Sequence, residues 1–326
     1  MKKRSILMGI VKRLPEKCLD EVIAAVQQAA GLGVRNCDCP HCRSSSVIRY
    51  GRRCGKQRFQ CKSCGHTFVE TTNTIMYMSH QPLPVWEEVI EDTIKGLSLD
   101  ETAERLGLTH QCAFDMRHKI LLALQEEQPG PLSEVAELDE TFVLDNYKGK
   151  KLSAELTRKA RKHGAKAQKN GISSEYVCIC TGIQRNGPAL AVSVNRAKPS
   201  AEELREVYAG KLRPGTLTLF DGLRSYSAWG RDADVVLKDV SHVDESERAF
   251  YNLNTANSFH SFIKDRYRDY RGVATKYLNR YNALFALVYR AGSAALDDLR
   301  SRLLNPAPAK RHFTLRDVSS AGLLAI

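Results

Sequence analysis

The spacing of apolar residues changes character along the chain and divides it into stretches of different kinds. In residues 15–30 (PEKCLDEVIAAVQQAA) apolar positions recur at helical spacing, which predicts one amphipathic helix ended by Gly31 and Gly33. A cysteine-rich stretch follows, and Gln81-Pro82-Leu83-Pro84 reads as a linker. Residues 85–126 return to helical periodicity and predict three helices, closed by Gln128-Pro129-Gly130-Pro131. From about residue 135 the period shortens to that of strands. AELDETFVL predicts a strand ending near Asp145, and EYVCICTGI and ALAVSVN flank the hairpin signal Asn186-Gly187. Ser200 with Glu203 opens a helix as a capping box. TLTLFDG is a strand that carries Asp221 at its end, DVVLKDV is another, and residues 254–270 form a helix.

This pattern suggests an N-terminal helix (1–34), a cysteine module (35–78), a helical region (82–127), an α/β domain (134–295) and a C-terminal tail (296–326). The order in the α/β domain is three strands, a helix, the Asp221 strand, a further strand, then the last helix.

Charge narrows the class of partner. The 326 residues carry 49 Lys and Arg against 37 Asp and Glu, a formal +12 that favours a polyanion. No stretch approaches the ~18 apolar residues of a membrane span, and the run Ile6 to Val11 is too short for a signal segment. The expectation is a cytoplasmic, nucleoid-associated protein without a membrane partner. Ten cysteines in such a compartment point to metal binding or buried thiols.

Cys39-Pro-His-Cys42 and Cys61-Lys-Ser-Cys64 are two CxxC knuckles 18 residues apart. Each knuckle lets two thiolates converge, and the four together make a closed tetrahedral Zn²⁺ site of structural type, a zinc ribbon. Two redox pairs would use the same cysteines. Arg49, Arg52, Arg53 and Arg58 lie in the intervening stretch, which has no acid, and suit DNA phosphates or a solvated basic loop. In SLDETAERLGLTHQCAFDMRHKILLAL, Ala103 and Leu106 share a face, Gly107-Leu108-Thr109 turns, and Ala113, Met116, Ile120 and Leu121 continue it. The segment resembles a helix-turn-helix in which His110, Gln111, Arg117 and His118 face DNA; a plain helical linker is the alternative.

Cleavage of a phosphodiester by two divalent metals needs acidic oxygens from separate elements. Asp139 sits inside one strand and Asp221 ends another, where a buried aspartate is costly without a partner. Glu140 should point to the opposite face of its strand, which makes it the poorer candidate. On the helix of residues 254–270, Phe259, Phe262, Ile263 and Tyr270 form one side. Asn257, His260, Ser261, Lys264 and Arg268 form the other, facing either a cleft or plain solvent.

The segments ELDET, LFDG and NTANSFHSFIK with RGVATKYLNRY resemble bacterial insertion-sequence transposases of the ISXO-like group, over roughly residues 35–290. The resemblance implies a zinc ribbon joined to an RNase H-like domain, a mixed sheet with flanking helices, and the helix-turn-helix candidate lies between them. It implies that Asp139 and Asp221 are the first two catalytic acids, and that Asn257 stands where most relatives carry Glu. Lys264 matches the basic residue that follows. With His260 nearby, these would work on two Mg²⁺ or Mn²⁺ ions. An amide oxygen can ligate a hard cation without charge, so the expectation is a weaker second metal site or help from an acid such as Asp244, Glu245 or Asp265.

Residues 147–171 hold nine Lys or Arg and one acid. Lys159, Arg161 and Lys162 in this insert, with Arg268, are expected to grip DNA phosphates, either as an ordered element or as a loop that orders on binding. The reading is a DNA transposase that cleaves element ends and joins them to target DNA, as a homo-oligomer in its synaptic complex. A non-catalytic DNA-binding regulator and a structure-specific nuclease of the same fold are the alternatives.

Overall fold

A computed structural model describes residues 38–53, 55–126, 130–148, 167, 171–173, 175–292 and 314–319. The helix expected over residues 15–30, most of the basic insert with Lys159, Arg161 and Lys162, and most of the tail lie outside the described residues. The chain divides into two compact units, one ending at Tyr77 and one beginning at Met78.

The first unit is a three-stranded antiparallel sheet of β1 (Val47–Arg53), β2 (Lys56–Cys61) and β3 (Thr67–Val69). So small a sheet buries little apolar surface: its core is Cys39, Cys61 and Phe68, with Val47, Phe59 and Cys64 packed against them. A fold with this little core needs a staple, and cysteines make up half of the core.

The second unit opens with α1 (Leu83–Lys95), α2 (Leu99–Leu106) and α3 (His110–Glu126). The chain turns between them at Gly96 and Gly107, both left-handed, and α2 starts with a reciprocal Ser98–Glu101 capping box. Thr109 caps α3 by accepting the Cys112 N–H at 3.1 Å.

A five-stranded mixed sheet follows in the order β6-β5-β4-β7-β8, with β4 (Val135–Leu144) at its centre. β5 (Tyr176–Gln184) and β6 (Ala189–Ser193) form the expected hairpin, with Asn186 left-handed in its turn. β7 (Thr216–Phe220) runs parallel to β4 and to β8 (Val235–Asp239). One face of the sheet is covered by α4 (Ala201–Tyr208), which begins with the Ser200–Glu203 box, and by α5 (Arg224–Gly230). Leu204, Tyr208, Tyr226 and Trp229 pack there on Leu138, Cys178, Cys180 and Phe220. The periodicity had not indicated α5, a helix of only two turns. Helix α6 (Asn254–Asp269) packs on β4 and β5, and α7 (Leu278–Ala291) packs on β6. Among the described residues, no helix is long and apolar enough to cross a membrane.

The packing of α3 on α7 corrects part of the helix-turn-helix reading. Arg117 and His118, expected to face DNA, are each 1% exposed. Arg117 donates to Thr102 Oγ1 at 3.0 Å and its guanidinium lies over the Tyr270 ring. The His118 ring packs against Phe114 and Tyr277, and its Nδ1 meets Arg280 Nη1 at 3.0 Å. Both side chains are thus directed into the unit, although Arg117 Nε finds no hydrogen-bond partner among the described residues. A wheel drawn on α3 alone cannot show that α6 and α7 supply partners for that side. His110 and Gln111, at the start of α3, do remain exposed.

Candidate functional site

The four knuckle cysteines converge as their spacing requires. Cys39 Sγ lies 3.5 Å from Cys64 Sγ, and Cys42 Sγ lies 3.5 Å from Cys61 Sγ. All four sulfurs fall within 4.8 Å of one another. Thiolates ~2.3 Å from one Zn²⁺ stand ~3.8 Å apart, so this cluster fits a tetrahedral ion. Gly65, left-handed just after Cys64, turns the chain so that its N–H reaches Cys61 O at 2.9 Å. Burial works against ionisation of Cys61, but the backbone N–H groups of Cys64 and Ser63, together with the Cys42 and Cys64 side chains, bring the thiol down to about 6. His41 stacks on His66 outside this cluster. Arg49, Arg52 and Arg53 are exposed on β1, while Arg58 is half-buried, its guanidinium over the Tyr50 ring.

The acidic centre arises from the parallel pairing of β4 with β7. Val135, Ala136 and Glu137 stand opposite Leu217, Thr218 and Leu219. Two further steps of this register set Asp139 beside Asp221, with side chains of the same parity. Beyond Phe220 the chain turns at Gly222, whose φ is +79°. A Cβ there would stand 2.8 Å from Asp239 Oδ2 and from Ser241 Oγ, so the tight exit behind Asp221 requires glycine.

Glu140 joins the two aspartates, contrary to the face argument. One oxygen from each of Asp139, Glu140 and Asp221 lies within 4.8 Å of the others. The alternation itself holds, since Glu140 pairs with Cys180, which packs on the α4–α5 side. But β4 continues to Leu144 after β7 has ended at Phe220, and a glutamate is long enough to reach round that open edge. Asp244, Glu245 and Asp265 are not in this cluster.

The electrostatics are those of crowded, partly desolvated carboxylates. Burial and then repulsion from Asp221 raise Asp139 to about 6, against the Glu140 N–H and the Lys264 ammonium. Burial, then Asp139 and Asp221, raise Glu140 to about 7, with Lys198 opposing. The Glu140 Oε2 atom is buried and has no hydrogen-bond partner among the described residues. Three converging acids with one orphaned buried oxygen form a donor set that a hard divalent cation satisfies.

Helix α6 brings the remaining candidates. The carboxylate of Glu137, wholly buried on β4, accepts the Ala256 N–H at 2.9 Å and the Arg185 Nε–H at 2.7 Å. Arg185 in turn donates to Asn252 O at 3.0 Å. The first turn of α6, and with it the exposed Asn257, is therefore tied to the strand of Asp139. Three residues on, His260 is buried against the sheet with Nδ1 3.7 Å from Asp139 Oδ2. Burial, then Lys264, lower His260 to about 4. Lys264 is exposed on the same side of α6, and Arg268, a turn further, is exposed and paired with Asp265. Glu137 and Thr181, which hold α6 and His260, escaped the sequence reading; the shared parity of Glu137 and Asp139 in ELDET was the available signal.

Residues 131–291 match the ISXO2-like transposase domain family. The chain carries a transposase domain of this family. The matched segment holds the whole mixed sheet with α4 to α6 and ends with α7. A protein of the transposable element ISH50 of Halobacterium salinarum, itself uncharacterized, is 25% identical over 251 residues, which is 76% of this chain and 84% of the relative. Asp139, Glu140, Asp221, Asn257, His260 and Lys264 all fall within the transposase domain.

Proposed function

We propose that the second unit is an RNase H-like catalytic domain that cleaves the ends of its own insertion sequence and joins the freed 3′-hydroxyls to target DNA. The observation that carries this reading is the convergence of Asp139, Glu140 and Asp221 at the end of the β4–β7 pair. Two Mg²⁺ or Mn²⁺ ions held there by Asp139, Asp221 and Asn257 would activate the attacking oxygen and steady the leaving one. The chain's own groups do the rest. Asp139, drawn into the sheet, fixes the position of the centre. Asn257 offers a neutral amide oxygen, and Glu140 supplies the negative charge that an asparagine lacks. The ammonium of Lys264, exposed beside Asp139, holds a non-bridging phosphate oxygen of the scissile group.

The zinc-bound ribbon presents Arg49, Arg52, Arg53 and Arg58 to the DNA backbone, and the exposed start of α3, with His110 and Gln111, approaches base edges. Lys159, Arg161, Lys162 and Arg268 add phosphate contacts. Cutting two ends calls for a homo-oligomer in the synaptic complex, working on the nucleoid in the cytoplasm.

The test is incubation of the full chain with DNA carrying candidate element ends and Mg²⁺, scored for both cleavage and joining. Cleavage and joining support a transposase; cleavage of branched DNA irrespective of the ends supports a nuclease. Binding to the ends with no cleavage supports a regulator.

A further inference from the structure

The side chain of Thr181 settles which nitrogen of His260 carries the proton. Thr181, on β5 directly opposite Asp139, donates its only hydroxyl hydrogen to Asp139 O at 2.8 Å, because a carbonyl can only accept. Its oxygen also stands 2.7 Å from His260 Nε2. With its hydrogen committed, Thr181 must accept there, so Nε2 bears the ring hydrogen. In the neutral ring Nδ1 is then a bare lone pair, and the carboxylate oxygen Oδ2 of Asp139 lies 3.7 Å from it. Two acceptors held face to face in a mostly buried place repel unless something positive lies between them. Two donors each ~2.1 Å from one ion stand at most ~4.2 Å apart, so this separation suits a shared cation.

We propose that His260 Nδ1 is a ligand of a divalent ion in this centre, with Thr181 as the positioning residue that fixes its tautomer. The proposal rests on the catalytic reading above and adds a nitrogen donor to it. Glu140 and Asp221 converge with Asp139, and His260, which is not within that three-carboxylate cluster, stands 3.7 Å from Asp139 Oδ2. Asp139 would then be a ligand shared by the His260 nitrogen's ion and the carboxylate cluster. An acceptor hydrogen-bonded behind the ring, here the Thr181 hydroxyl oxygen, is the usual way a ligating histidine is held. An imidazole is a softer donor than a carboxylate, so its half of the centre would favour a transition-metal ion such as Mn²⁺ relative to Mg²⁺.

The probe is Mn²⁺ added to the full-length, zinc-loaded protein and read by electron spin echo envelope modulation, which reports nitrogen bonded to the ion. The wild type should show coupling to a ¹⁴N nucleus, and the pattern should change to that of ¹⁵N when the protein is made with ¹⁵N-histidine. The coupling should vanish in His260→Gln and survive in Thr181→Ser. In Thr181→Val, Mn²⁺ affinity should fall on the order of tenfold, as for loss of a group behind a ligand. Mn²⁺ that binds in an Asp139-dependent way without histidine coupling would overturn this proposal and leave the catalytic reading standing. Coupling unchanged in His260→Gln would overturn it equally. Failure of the wild type to bind Mn²⁺ at all would remove both. The wild-type isotope comparison decides the matter even if a variant fails to fold.

Discussion

Glu137 accepts the backbone N–H of Ala256 at 2.9 Å, so the carboxylate two residues before Asp139 holds the first turn of the helix that carries Asn257. Strand and helix, distant in sequence, are thereby joined at the point where the proposed ligands must meet. The same carboxylate binds Arg185, whose side chain is about a quarter exposed, while Glu137 itself is wholly buried.

Removing one partner of such a pair leaves the other desolvated. Glu137→Ala should cost roughly 3–5 kcal/mol of stability, and Glu137→Gln less, because the amide keeps an acceptor for Ala256. Chemical denaturation measures this directly. A Glu137→Ala protein as stable as the wild type would mean that α6 is held by packing alone.

The buried His118 makes stability acid-sensitive. Burial, then Arg280, Arg117 and Lys276, lower it from 6.5 to about 2 in the folded chain. The unfolded ring therefore binds a proton that the folded ring refuses, and stability is lost as pH falls below 6.5. The slope approaches ~1.4 kcal/mol per pH unit, or about 2 kcal/mol between pH 6.5 and 5. His118→Gln should flatten the fall over that interval while preserving an acceptor for Arg280. Equal slopes in the two proteins would show that other groups govern it.

The cysteine cluster is expected to hold one Zn²⁺ on which the first unit depends. Native mass spectrometry should find one Zn²⁺ per wild-type chain and none after Cys61→Ser, which removes a buried member of the cluster. Binding to end DNA should weaken in parallel. Zinc retained by the variant would contradict the four-thiolate site.

Asn257 and Glu140 divide one task between them in this account. Asn257→Glu should keep or raise Mg²⁺-dependent cleavage, and Glu140→Gln should weaken Mg²⁺ binding on the order of tenfold, as expected for lost ligand charge. Full activity in Asn257→Ala would remove that residue from the site. Unchanged Mg²⁺ affinity in Glu140→Gln, by calorimetry, would return Glu140 to a bystander.

What the sequence disclosed follows from how local each signal is. The knuckles, the Asn186-Gly187 hairpin, the Ser200–Glu203 box and the strand ending at Asp221 are each written within a few residues. The pairing of Asp139 with Asp221 is not local, and its expectation came from chemistry and resemblance before the register of β4 on β7 supplied the geometry. Glu140 was misjudged because strand alternation predicts a face and says nothing of where the neighbouring strand stops. Arg117 and His118 were misjudged because polar residues on a helix look solvent-facing until their buried partners, Thr102, Tyr270 and Arg280, are in place. Thr181 carries no signal of its own; only its position opposite Asp139 gives it a role.

The central claim is that Asp139 and Asp221 hold the metal ions of a DNA-cleaving centre. Its most direct test measures Mg²⁺-dependent cleavage of authentic end DNA by the wild type, Asp139→Ala and Asp221→Ala, alongside the affinity of each for the same DNA. The expected result is cleavage by the wild type, its loss by a factor of 10³ or more (roughly 4 kcal/mol of barrier) in both variants, and DNA affinity essentially unchanged. Cleavage that persists in either variant at near wild-type rate would contradict the account.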